Sequence, residues 1–111
     1  MRVSKSLVIE TASQIADERG LNSLSLKVVA EKLNVRTPSL YNHIESLDDL
    51  LREVAHKGMR SMNEQMVQAA IGKSGDTALK GVSVEYLNFI IEHPGVYETI
   101  QWATWHGTDE T

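Results

Sequence analysis

Residues 24–44, LSLKVVAEKLNVRTPSLYNHI, carry the architecture of this chain. Leu26, Val29, Ala30 and Leu33 fall at i, i+3, i+4 and i+7, a complete apolar stripe over two helical turns. Ser25 stands where an N-cap hydroxyl is needed, and Asn34 follows the last apolar position. Asparagine tolerates the left-handed geometry that ends a helix. Thr37 then caps a second short helix with Pro38 at its first position, where the missing N–H costs nothing. This helix runs to about His43, with Leu40 and Ile44 turned inward. Two short helices joined by the turn 34–36 form a helix-turn-helix, whose second helix enters the major groove of DNA. With Leu40 and Ile44 committed to packing, the outward set is Thr37, Ser39, Tyr41, Asn42 and His43. These are uncharged donors and acceptors suited to phosphates and base edges, where a solvated helix usually spends Glu and Lys. The bland readings are a plain helical hairpin, Tyr41 packed on the first helix, and His43 as a structural residue at a helix end.

Working outward, helical spacing continues in both directions. Upstream, Val8, Ala12 (or Thr11), Ile15 and Ala16 mark one face of a helix over 4–19, capped by Ser4 and stopped by Gly20. Downstream, Ser46 with Asp49 three residues on is a capping-box variant. It opens a long helix from Leu47 to about Ala70, with Leu50, Leu51, Val54, Gly58, Met62 and Met66 along one side. Residues 72–75 (GKSG) break it, and a fifth helix over 77–92 turns Leu79, Val82, Tyr86, Leu87 and Ile90 inward. Pro94 ends that helix or opens the next, which runs from Val96 to about Trp105. The reading is all-α: a three-helix helix-turn-helix domain over 1–46, then, over 47–111, a connecting helix and the start of a helical bundle.

The composition narrows function. The 111 residues contain no Cys, which excludes disulfide scaffolds, thiolate catalysis and cysteine zinc sites. No long apolar run or signal-peptide pattern occurs, so a cytoplasmic protein is expected. The net charge of −4 is unevenly placed. Residues 1–45 hold six basic and five acidic groups, whereas 46–111 hold five and ten. A polyanion therefore belongs against the first part.

The run from Val28 to Ile44, followed by Leu47-Asp48-Asp49-Leu50-Leu51, resembles the DNA-binding domain of the TetR family of transcriptional regulators. The likeness covers about residues 4–64, and Leu40-Tyr41-Asn42-His43 is its most specific part. It implies a ligand-responsive homodimeric repressor that recognises a short palindromic operator on double-stranded DNA. A small-molecule effector in the C-terminal domain resets the spacing of two recognition helices. Carried over by position, Ser25 and Lys27 hold the DNA backbone. Arg36, Thr37, Pro38 and Ser39 approach the duplex at the start of the recognition helix, while Tyr41, Asn42 and His43 complete the contact set. Two positions depart from the family pattern. Leu47 stands where Lys is frequent, with Asp48 and Asp49 behind it, and Asn34 replaces a usual Gly. Family members run well beyond 111 residues, so a truncated regulator is expected.

For the effector, candidates are Met59, Met62 and Met66 on the long helix, with Tyr86, Tyr97, Trp102 and Trp105. Core filling and dimer packing are the competing readings for these side chains. Trp105-His106-Gly107 is similar to a Trp-His-Gly motif of one C-terminal subclass in the family. His56, His93 and His106 lack metal-site spacing, and no nucleophile elbow or phosphate-binding Gly loop occurs. No enzyme activity, metal or cofactor is expected. The rival reading is a helical interaction module that binds a protein or small molecule without sequence-specific DNA binding, favoured by the acidic second half.

Overall fold

The computed structural model describes residues 3–106, and these form six α-helices with no strand among them. Helix α1 (Lys5–Arg19) starts where the Ser4 hydroxyl accepts the Leu7 N–H at 3.2 Å. Gly20, at φ +88°, ends it, and a 3-10 turn (Leu21–Ser23) leads to α2 (Leu26–Leu33). Helix α3 (Thr37–Leu40) is followed by α4 (Leu47–Ala70), α5 (Gly75–Glu92) and α6 (Pro94–His106). None of these helices is long and apolar enough to cross a membrane.

One continuous core joins the helices. Val8 and Ile15 of α1, Val29 and Leu33 of α2, and Leu40 and Ile44 around α3 pack with Leu50 and Val54 of α4. The same cluster extends to Phe89 of α5 and to Val96 and Ile100 of α6. Close packing between α4 and α6 needs Gly58, because a Cβ there meets Val96 Cγ1 and, at 3.3 Å, Ile100 Cδ1. Helix α4 is opened by Ser46, whose Oγ accepts the Asp49 N–H at 3.1 Å. The Asp49 carboxylate returns to the Glu45 N–H at 2.9 Å, one residue earlier than a standard capping box. Ser46→Ala is expected to lower unfolding free energy by about 1 kcal/mol, read by urea denaturation.

Several expectations need correction. Thr37 does not cap α3: Arg36 occupies the cap position without a side-chain bond, and Pro38 lies within the first two positions. Both lack intrahelical N–H partners, so proline is tolerated at either. The α-helical part ends at Leu40, and the chain continues to His43 in a tight turn, with N–H bonds from Tyr41 to Pro38, Asn42 to Ser39 and His43 to Leu40. Finally, Leu79 and Leu87 of α5 face solvent, at 66% and 57% exposure, and Phe89 is the buried anchor. The apolar residues of α5 spread beyond one stripe, with Val84, Leu87 and Ile91 on the side away from Phe89, so periodicity alone does not select the buried face. Helix α5 also begins at Gly75, two residues earlier than expected, and Pro94 opens α6, one of the two roles expected for it.

Candidate nucleic-acid interface

Local chemistry builds the turn between α2 and α3. The Ser25 hydroxyl accepts the Val28 N–H at 3.1 Å and so fixes the start of α2. At the other end Asn34 lies at φ 57°, ψ 43°, in the left-handed region. Its N–H donates to the Glu31 carbonyl at 3.1 Å, and the Val35 N–H donates to Ala30 at 2.9 Å. This pair of bonds is a Schellman closure, with Asn in the position glycine usually takes. The chain therefore leaves α2 at a set angle and enters α3 with Leu40 fully buried and Ile44 beside it.

Burying Leu40 and Ile44 turns the rest of the segment outward. Tyr41 is 55% exposed, which excludes its packing into the core against α1. Arg36, Pro38 and Asn42 are exposed, and Thr37, Ser39 and His43 are half-buried. Among the described residues none of the side chains of Thr37, Ser39, Tyr41, Asn42 and His43 makes a hydrogen bond, so their polar atoms remain available. Lys27 is exposed on α2 and has no ion-pair partner among the described residues, whereas Lys32 is drawn to Glu18 at 3.4 Å. At the start of α4, Asp48 is exposed and Asp49 is held on the Glu45 backbone. Two carboxylates in the first turn offset the attraction of that helix end for a phosphate.

The joint between this unit and α6 is the feature that sequence reasoning missed. Asp17 of α1 takes the His93 ring at 2.7 Å through Oδ2 and accepts the Val96 N–H at 2.9 Å through Oδ1. One carboxylate thus caps a helix that begins far along the chain. Glu98 accepts the Leu21 N–H at 2.9 Å, and Gly95 sits directly on the backbone of Ala16 and Asp17. These partners are more than seventy residues apart in sequence, with no local signature.

The proposed effector residues do not converge. Tyr86 and Tyr97 meet edge to face, hydroxyl to hydroxyl at 3.0 Å. This hydrogen bond, helped by partial burial, raises the Tyr86 pKa above its usual 10.0. Met62 and Met66 are half-buried, and Met62 packs on the core, but Met59 is exposed. Trp102 is half-buried and stacks on His106 at 4.9 Å, whereas Trp105 is 79% exposed. Trp105 and His106 end the described part of the Trp-His-Gly stretch, and Gly107 lies outside the described residues.

Comparison with known proteins accords with this geometry. No family model matches the chain. It is 38% identical over 96 residues to the uncharacterized HTH-type transcriptional regulator YobS of Bacillus subtilis, a match spanning 86% of this chain and 50% of that protein. It is 29% identical over 108 residues to the uncharacterized HTH-type transcriptional regulator Rv0681 of Mycobacterium tuberculosis, spanning 97% and 50% respectively. The crystal structure of TetR from Acinetobacter baumannii AYE superposes with a TM-score of 0.71 at 22% identity, over 90% of this chain and 53% of that one. The chain spans about half the length of the curated relatives it matches. Over about half the length of those relatives the chain is similar in sequence to HTH-type transcriptional regulators, and it shares the fold of that TetR structure.

Proposed function

We propose that this chain is the DNA-binding part, with the first bundle helices, of a ligand-responsive homodimeric repressor acting in the cytoplasm on a short palindromic operator. The observation that carries the reading is the uncharged polar face at 37–43, outward and without internal hydrogen bonds, on a segment anchored by buried Leu40. Lys27, Arg36, Thr37, Ser39 and Tyr41 position the duplex. Asn42 and His43 read base edges, and Asn42 has the amide geometry that pairs with adenine. Ser25 acts mainly by holding the first turn of α2, and Pro38 by shaping the start of α3. Residues 1–46 are the DNA-binding domain, and 47–111 are the connecting helix and the N-terminal part of a helical effector and dimerisation domain.

Selection of bound sequences from a random duplex pool tests this. An enriched palindrome is the expected result; recovery of no preferred sequence favours the helical interaction module, to which the acidic second half of the chain is suited. On the selected operator, Asn42→Ala is expected to cost about 1–3 kcal/mol and to relax the preference at one base pair, while Lys27→Ala weakens all sequences alike. Fluorescence polarisation over a salt series should give a shallow slope, because few cations face the duplex. A steep slope in wild type, unchanged by Lys27→Ala, removes the phosphate assignment.

A further inference from the structure

Helices α1, α4, α5 and α6 border an open crevice of about 240 Å³ beside the Asp17–His93 joint. At about 30 Å³ per molecule it has room for about eight waters, the scale of a small metabolite. Its floor is apolar, formed by buried Phe89 and Val96 at the Gly58 contact. The His93 ring lies over Phe89 with centroids 5.1 Å apart. Asp17 also lines the crevice, but both its oxygens are already occupied. The charged groups left for a ligand are Glu10 on the α1 wall and Lys57 on the α4 wall. Neither makes a salt bridge or side-chain hydrogen bond among the described residues. Opposite charges thus border one apolar floor without pairing with each other.

We infer that this crevice binds a small zwitterion with an apolar side chain, of the class of a branched aliphatic amino acid. Its ammonium group is taken by Glu10, its carboxylate by Lys57, and its side chain lies on Phe89 and Val96. The charge arrangement favours this class: a zwitterion meets both groups, whereas a simple amine meets Glu10 alone and a simple carboxylate meets Lys57 alone. As an effector site the crevice rests on the regulator reading, and it lies outside the aromatic and methionine set considered above. A ligand there touches Asp17, His93 and Val96, the groups that tie α1 to α6.

Calorimetric titration of the whole chain with L-leucine, isopentylamine and isocaproate tests the site. Leucine is expected to bind with a Kd of about 1 mM or tighter, and each single-charge analogue about tenfold more weakly. Glu10→Gln should remove the advantage of leucine over isocaproate, and Lys57→Gln its advantage over isopentylamine. Both positions are exposed, so folding is retained. Ser61→Phe, which places a ring in the crevice from α4, should abolish binding. No heat from leucine, equal affinity for the three probes, or binding unaffected by all three variants overturns the inference. Operator selection is scored separately, without ligand. A chain that takes leucine but enriches no duplex loses the regulator reading alone; one that enriches a palindrome but ignores leucine loses only this site.

Discussion

Gly95→Ala is expected to destabilise the chain by about 3 kcal/mol, the upper part of the usual range for overpacking. The added methyl group lies directly on the Ala16 carbonyl and close to the Asp17 N–H. Backbone cannot yield by changing rotamer, so α6 must lift from α1. That displacement lengthens both bonds of Asp17, to His93 and to Val96, and the bond from Leu21 to Glu98. The loss therefore exceeds that of a flexible core contact, where neighbours relax. Urea unfolding followed by circular dichroism measures it. A midpoint equal to wild type shows that α6 does not need this approach. Asp17→Asn offers a milder comparison, since it keeps an oxygen for Val96 while weakening the His93 contact.

The second large effect is expected at Leu40. Leu40→Ala removes a fully buried side chain from the seat of α3 and should cost about 3 kcal/mol, within the range for buried leucine truncation. The loss extends beyond stability, because Leu40 and Ile44 are what turn the 37–43 face outward. Operator affinity should fall even where the chain remains folded. Tyr41→Ala is the informative partner. Its side chain is mostly exposed and makes no internal hydrogen bond, so unfolding should shift by no more than about 0.5 kcal/mol. DNA affinity should fall nonetheless. If Tyr41→Ala destabilises as much as Leu40→Ala, the tyrosine is a packing residue and its proposed phosphate contact is lost.

Much of the candidate interface was legible because its determinants are local. Ser25, Asn34 and Pro38 act through bonds to residues within a few positions, and Leu40 and Ile44 are separated by one helical turn. Such features leave spacing that can be read along the chain. The error over Thr37 was of one position, as expected where a cap and a first-turn residue both satisfy the same free N–H groups. Helix α5 was misread for a different reason. Its apolar residues occupy most of its circumference, so Leu79 and Phe89 were equally eligible for the core.

Sequence alone determined that this chain is all-α, that Ser4, Ser25 and Ser46 cap helices, and that a polar face follows Pro38, because each is written in short-range hydrogen bonding and the helical period. Tertiary structure alone decided which side of α5 is buried, that Tyr86 meets Tyr97 while Trp105 faces outward, and that Asp17 holds the start of α6. Those outcomes depend on the relative placement of helices. A carboxylate on α1 and a peptide N–H on α6 become partners only after the core from Val8 to Ile100 has closed.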